Sequence, residues 1–278
     1  MTTVLVIGAA GKTGRAVTRS LTSHGVTVRA AVRSPERSET AYAAGARSIS
    51  VVDLESGLGL DDAFDGVDAV YHLAPNVHPD EVAIADRVAS AALRAGVTRF
   101  VFHSVLHPHD SSMPHHLRKA EAEKVVRSHL PGATVLRPAA YHQNLLDAAH
   151  AGRLAVPYSL DTPFTNVDLD DVAEVAATVL TRPGHEGVTH DLAGPEVLSV
   201  REQAHVAAAV LGHPVEALRV ELAEWVAGPG ASLTAQARDD LLAMFASYDR
   251  GGLVGEAAPL RRLLGREPRP WAGVLTRT

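Results

Sequence analysis

The sequence predicts an α/β fold: a Rossmann-type, doubly wound parallel sheet with a smaller, mostly helical C-terminal lobe. Three observations carry that prediction. Short, continuous apolar runs alternate with amphipathic stretches through the first half of the chain. This is the pattern of strands buried on both faces and joined by crossover helices. A glycine loop, Gly8-Ala9-Ala10-Gly11-Lys12-Thr13-Gly14, stands directly between the first apolar run and the first amphipathic one. After about residue 150 the alternation gives way to helices punctuated by glycine and proline.

Residues 4–7 (Val-Leu-Val-Ile) form the first strand, and a helix over 14–23 follows with Ala16, Val17 and Leu21 at helical spacing. Gly25 stands where it can end that helix. Further strands are predicted at 26–32, 48–52, 69–73, 99–102 and 134–136. An alanine-rich helix over 81–95 is closed by Gly96. Pro114 suits a first helical turn, which starts a helix running to about 129. Residues 170–180 read as a helix with an acidic first turn, and 189–192 as a strand. Helices over 200–211 and 233–248 complete the lobe. The expected division is a nucleotide-binding domain over 1–150 and a substrate-binding lobe over 151–278, with 164–193 returning to the sheet.

The chain has 278 residues, 46% hydrophobic and 21% charged, with a formal net charge of −6. That is enough to bury a real core, and it gives no global electrostatic case for nucleic acid or anionic membrane. A small-molecule partner is expected instead. No apolar stretch reaches the length of a membrane span, and a strand beginning near residue 3 leaves no room for a signal peptide. The expected location is the cytoplasm. There are no cysteines, which excludes thiolate nucleophiles and Cys-ligated metal. Histidine is abundant: 15, against 5 Phe, 5 Tyr and 2 Trp.

In the glycine loop, Gly8 allows a tight turn, Gly11 lets the backbone approach a pyrophosphate, and Gly14 permits close helix–strand packing. The following helix offers N–H groups and partial positive charge to phosphates. Ala10, Lys12 and Thr13 complete the candidate loop. A dinucleotide site selective for NAD places an acidic residue after the second strand. Here that position is Arg33, with Ser34 beside it and Arg37 nearby. Guanidinium pairs with phosphate in a bidentate fork, so NADPH is expected over NADH. Asp53 and Leu54, past the third strand, are candidates for the adenine edge. Ala74 and Pro75, past the fourth, are candidates for the cofactor's middle.

The GxxGxxG spacing, Arg33, Val52-Asp53-Leu54, Phe102-His103-Ser104 and Thr134-Val135-Leu136-Arg137-Pro138 with Asn144 resemble the NmrA-like proteins, atypical members of the short-chain dehydrogenase/reductase superfamily. The resemblance runs from residue 3 to about 215, and Leu263-Leu264-Gly265-Arg266-Glu267-Pro268 is similar to the family's C-terminal ending. It implies an NADPH-dependent oxidoreductase reducing a carbonyl, a quinone or a conjugated double bond. The same family includes non-catalytic dinucleotide-sensing regulators, which is the alternative function. A sugar-nucleotide epimerase or dehydratase holding NAD is a third reading, and Arg33 opposes it.

On a 100° wheel over 114–129, Glu121, Lys124 and Ser128 gather around Leu117, and Ala122, Val125 and Val126 gather opposite. His115 and Lys119 fall on the apolar side. A lysine there either snorkels to solvent, paired with Glu123, or is held for a task. Short-chain reductases carry Tyr-x-x-x-Lys at this place, and here the tyrosine position is His115. Isoflavone-reductase-like enzymes have a lysine at the same 15-residue distance from the next strand's threonine, as Lys119 is from Thr134. That resemblance implies Lys119 as the first catalytic candidate, also able to reach the nicotinamide ribose, and His115 as the second. Ser104 matches the serine that orients a substrate carbonyl. Tyr141 and Asn144 either line the nicotinamide end or pack. Trp225 and the Met244-Phe245-Tyr248 face either shape an apolar pocket or form core.

Eight of the histidines lie between 103 and 150. A metal site needs three or four convergent ligands, and no H-E-x-x-H spacing occurs, so none is expected. The remaining readings are a polar pocket wall near the hydride site, or simple loop residues.

Overall fold

The computed structural model describes residues 2–277. In chain order the first half runs β1 (Thr3–Ile7), α1 (Lys12–Ser23), β2 (Thr27–Val32), α2 (Ser38–Ala43), β3 (Ser48–Val51), α3 (Leu60–Phe64), β4 (Ala69–His72), α4 (Glu81–Arg94), β5 (Arg99–His103), α5 (Pro114–His129) and β6 (Thr134–Pro138). It continues with α6 (Leu146–His150), β7 (Arg153–Val156), α7 (Leu169–Thr181), β8 (Thr189–Leu192), α8 (Val200–Leu211), β9 (Glu216–Arg219), α9 (Leu222–Ala227), α10 (Ala235–Gly251), α11 (Ala258–Leu264) and α12 (Trp271–Leu275).

Among the described residues, seven strands form one sheet in the order β3-β2-β1-β4-β5-β6-β8. Neighbouring strands from β3 to β6 run parallel. The winding reverses between β1 and β4, so their carboxyl ends flank the crevice in which ligands bind in open α/β sheets. β4 is buried at every position, as a central parallel strand covered on both faces must be. Two compact units make up the chain. One contains the residues up to Pro108, Arg118–Arg137 and Val172–His190; the other contains His109–Leu117, Pro138–Asp171 and the residues from Asp191 onward.

In the first unit the core joins Leu5, Ile7, Val70, Phe100 and Phe102 of the strands to side chains of α3, α4 and α5, among them Phe64, Ile84 and Val126. Each fully buried side chain of this size contributes roughly 1.5–3 kcal/mol. The wheel drawn over α5 holds: Leu117, Glu121, Lys124 and Ser128 are exposed, whereas His115, Lys119, Ala122 and Val126 are buried.

The second unit contains a short parallel pair, β7 with β9, in the register Arg153↔Glu216. This small sheet adds to the expected helical lobe. Its core packs Leu154, Val156, Val200, Ala204 and Val274 around the fully buried Trp271. The Trp271 indole N–H donates to the Gln203 carbonyl at 3.0 Å, which satisfies its one donor. Helix α8 is started by a capping box: Ser199 Oγ accepts from the Glu202 N–H, and the Ser199 N–H donates to the Glu202 carboxylate at 2.8 Å. Asp168 and Asp171, both fully buried, tie the start of α7 to the C-terminal segment through Arg269, Arg266 and Arg277. Among the described residues no helix is long and apolar enough to cross a membrane.

Candidate functional site

Because β1 to β5 are parallel, the segments that follow them emerge at one edge of the sheet. The glycine loop follows β1, Arg33 follows β2, Asp53 and Leu54 follow β3, Ala74 and Pro75 follow β4, and Ser104 follows β5. All belong to the first unit, as does Lys119. His115, Tyr141 and Asn144 belong to the second.

Two glycines of the loop, Gly8 and Gly14, have no room for side chains. A Cβ at Gly14 would stand 2.2 Å from the Gly8 carbonyl oxygen and 2.7 Å from the Ala9 Cα. Gly8 has φ +77°, and its Cβ would lie 2.9 Å from the Leu73 carbonyl oxygen. The end of β1 therefore presses directly on the end of β4. The Gly11 N–H donates to the Gly8 carbonyl at 3.0 Å, which closes the turn. No side chain caps α1, and its first turn carries no acidic residue. A cradle whose first and last glycines admit no side chain, ahead of an uncapped helix start free of negative charge, fits a dinucleotide's pyrophosphate.

Arg33 and Arg37 are exposed. Ser34 hydrogen-bonds the Glu36 carboxylate and holds it below the usual carboxylate range. Asp53 is engaged within its own loop: one oxygen accepts the Glu55 N–H at 2.9 Å and the other the Ser56 hydroxyl at 2.6 Å. These bonds, the Ser56 one first, lower its pKa. Leu54 packs against the core, and Ala74 is buried beside exposed Pro75.

The carboxyl ends of β4 and β5 carry a buried polar cluster that sequence reasoning did not find. Lys119 is 4% exposed. Its ammonium forms an ion pair with Glu81, the first residue of α4, which is fully buried. It also donates to the His103 carbonyl at 3.2 Å and lies 5.5 Å from the centre of the Phe102 ring. Tyr71 Oη and His103 Nδ1 share a hydrogen bond of 2.5 Å. His72 packs its ring against Phe100 and Phe102, and among the described residues neither of its nitrogens has a hydrogen-bond partner. Burial, and then the Lys119 charge, push His72 and His103 down to about 3.

The alternative of a solvated Lys119 paired with Glu123 is replaced by two separate pairs, Lys119 with Glu81 and Glu123 with Arg137. Glu123 faces Arg137, which donates to it through Nε at 2.9 Å and Nη2 at 2.6 Å. The Ser104 hydroxyl donates to the same carboxylate. Ser104 is thus held by a carboxylate that is itself neutralised by a bidentate arginine.

In the second unit, His115 meets His116 edge-on, with ring centres 5.9 Å apart. Tyr141 precedes a short turn in which the Asn144 N–H donates to the Tyr141 carbonyl at 3.0 Å. Trp225, Phe245 and Tyr248 join Tyr158 and Phe164 in one aromatic cluster with centroid distances of 4.9–5.9 Å. Burial pushes the Tyr158 hydroxyl up to about 12 and Tyr248 upward as well. Among the described residues no group of three or more His, Asp and Glu is placed to hold a metal ion. His129 pairs with Asp86 at 2.7 Å, and His142 stacks on Trp271 at 5.2 Å with neither ring nitrogen hydrogen-bonded among the described residues.

His142 is pushed down to about 4, mainly by burial. Together with His72 and His103 it makes an acid-sensitive set. In the unfolded chain each imidazole takes up its proton near 6.5, whereas in the folded chain it stays neutral until the pH is far lower. Between these values the unfolded chain binds more protons, so stability falls as pH falls, by about 1.4 kcal/mol per pH unit for each histidine. Thermal melts followed by circular dichroism should show a steep loss of Tm from pH 6.5 to 4.5. His142→Phe should flatten the slope by about a third; a flat profile would contradict the assignment of these buried neutral imidazoles.

Some sequence signal for the cluster existed. Tyr71-His72 and Phe102-His103 place polar rings at the ends of otherwise apolar strands. Glu81 carried none, since an acidic residue in a first helical turn is ordinary on dipole grounds alone.

Comparison with known proteins finds relatives over nearly the whole chain. The (4-alkanoyl-5-oxo-2,5-dihydrofuran-3-yl)methyl phosphate reductase of Streptomyces griseus subsp. griseus is 34% identical over 96% of this chain and 95% of its own. The NAD(P)H azoreductase of Xenophilus azovorans is 29% identical over 97% and 95%. The crystal structure of an NADPH-dependent quinone oxidoreductase from Escherichia coli, complexed with NADPH, superposes with a TM-score of 0.81 at 24% identity, covering 98% of each chain. A model of the NmrA-like family matches residues 1–259. That match takes in the glycine cradle, the strand ends and the lysine-bearing helix alike, and the chain belongs to the NmrA-like family.

Proposed function

We propose that this chain is an NADPH-dependent reductase delivering hydride to a carbonyl, a quinone or a conjugated double bond of a small organic molecule. The observation that carries the reading is Lys119, a buried ammonium held at the carboxyl edge of the sheet, in the same unit as a glycine cradle shaped for pyrophosphate. The relatives of this chain are named as reductases that use nicotinamide cofactors or act on unsaturated, polar-conjugated molecules. The protein is an oxidoreductase of that kind.

The nicotinamide cofactor supplies the hydride when bound. Gly8, Ala10, Gly11, Lys12, Thr13 and Gly14 hold its pyrophosphate, and Ala74 and Pro75 flank its middle. Asp53 shapes its loop through its own hydrogen bonds, and Leu54 faces the adenine side. Lys119 supplies the proton that matches the hydride. With its hydroxyl donating a hydrogen bond to Glu123, Ser104 offers lone pairs, so polarisation of a substrate oxygen falls to Lys119. His115, Tyr141 and Asn144 are the further candidates for the nicotinamide end.

Oxidation of NADPH, monitored at its absorbance band, against a panel of quinones, azo compounds and unsaturated lactones tests the reading. No turnover with any member would move the chain to the sensing role. Arg33 and Ser34 favour the 2′-phosphate of NADPH. A charge-assisted hydrogen bond is worth about 1.5–3 kcal/mol, so Arg33→Ala should weaken NADPH binding by roughly 10- to 100-fold and leave NADH within about twofold. Equal losses for the two cofactors in a calorimetric titration would remove Arg33 from the phosphate site.

A further inference from the structure

Glu81 is placed with more constraint than a first-turn acid needs. The loop that delivers it, from Ala74 to Asp80, contains Val77 at φ +52° and 4% exposed. A buried β-branched residue in the left-handed region costs about 1–3 kcal/mol and persists only where its surroundings dictate it. The same loop is pinned by His78, which pairs with Glu55 at 3.2 Å and accepts the Asp80 N–H at 3.2 Å. At its end the Glu81 carboxylate meets the one ammonium of the cluster. The groups facing that ammonium are Glu81 from α4, the His103 carbonyl and the Phe102 ring from β5, and the His72 ring from β4, whose pKa the ammonium lowers. Tyr71 reaches the cluster through His103. Ser104 and Arg137 both donate to the Glu123 carboxylate. Of these groups, only Glu81 carries negative charge to Lys119.

We infer that Glu81 is a positioning residue: it fixes the Lys119 ammonium, and it supplies the negative charge that balances the nicotinamide ring once that ring is oxidised. This rests on the reductase reading above. The charges support it. Before reaction the ammonium and the carboxylate sum to zero beside a neutral reduced ring. Hydride transfer moves two electrons and one hydrogen nucleus to a substrate carbon, which leaves the ring with one positive charge and the substrate with one negative charge. Lys119 then gives a proton to the substrate anion and becomes a neutral amine. The Glu81 carboxylate would then offset the positive charge of the ring, and the charges would sum to zero throughout. Without Glu81 the ammonium would oppose the charge that develops on the ring.

The test is a ratio that needs no turnover: Kd for NADP⁺ divided by Kd for NADPH, titrated on the purified full chain. Glu81→Gln leaves the ammonium uncompensated and should raise the ratio about tenfold. Lys119→Met leaves the carboxylate and should lower it about tenfold, while Glu81→Gln/Lys119→Met should return it to the wild-type value. These are order-of-magnitude expectations for unit charges several ångströms apart. If Glu81→Gln does not fold, Lys119→Met and the double variant carry the same comparison. A ratio that stays constant across the variants overturns the proposal and leaves a structural ion pair. Kinetics add a second reading. Glu81→Gln should lower kcat at least tenfold with KM within about threefold and move the alkaline limb of the pH profile downward; Glu81→Asp should restore part of kcat. The double variant should be no slower than Lys119→Met alone, and independent, additive losses would count against positioning. If the wild type binds both cofactors yet reduces no member of the panel, the reductase reading fails while the affinity ratio still decides the role of Glu81.

Discussion

Replacing Lys119 with alanine should lower turnover by about 10²- to 10⁴-fold, the usual contribution of a positioned proton donor, while NADPH binds within about threefold of the wild type. A dinucleotide sensor with no chemistry to perform would lose little by comparison. The ion pair with Glu81 complicates the measurement in a predictable way. Lys119 and Glu81 are both buried, and removing one partner of a buried pair typically costs about 3–5 kcal/mol. Rates therefore need normalising to the fraction of protein that binds NADPH, and Lys119→Met, which keeps more of the side-chain volume, is the better-packed comparison. Normalised turnover within threefold of the wild type would remove Lys119 from the chemistry.

Gly14→Ala is the second large effect. The new methyl would meet backbone atoms, the Gly8 carbonyl oxygen at 2.2 Å and the Ala9 Cα at 2.7 Å, and neither can rotate away. Overpacking a yielding core costs about 1–3 kcal/mol; here the relief must come from opening the loop itself. NADPH affinity should fall on the order of 100-fold, with Tm lowered as well. Gly132→Ala is the matched control: its Cβ would have open space, and its stability should lie within about 0.5 kcal/mol of the wild type. If Gly14→Ala binds NADPH normally, the close approach of α1 to the β1 turn is not what shapes the cradle.

The large sheet was legible because its signals are local. Residues 4–7 are a continuous apolar run, 69–73 are apolar apart from His72, and the 114–129 helix shows its exposed and buried faces in the spacing of Leu117, Glu121, Lys124 and Ser128. The β7–β9 pair was not. Glu216-Ala217-Leu218-Arg219 are all strong helix formers, yet they pair with β7 because Leu154 and Val156 need a partner over the second core. Tertiary packing overrode local preference there.

The candidate site divides in the same way. Sequence alone determined the glycine cradle, the arginine after the second strand and the apolar side of the helix on which Lys119 stands, since turn geometry, strand order and helical period are set by residues close together in the chain; that Lys119 stays buried there was decided by the fold. What Lys119 meets was decided only by the tertiary structure. Glu123, one turn away, looked like its partner, but Arg137 and Ser104 take that carboxylate, and Glu81 arrives from another helix across the sheet edge. A buried charge must be neutralised by whichever opposite charge the fold brings within reach, and reach across strands is not written in the spacing of any one segment.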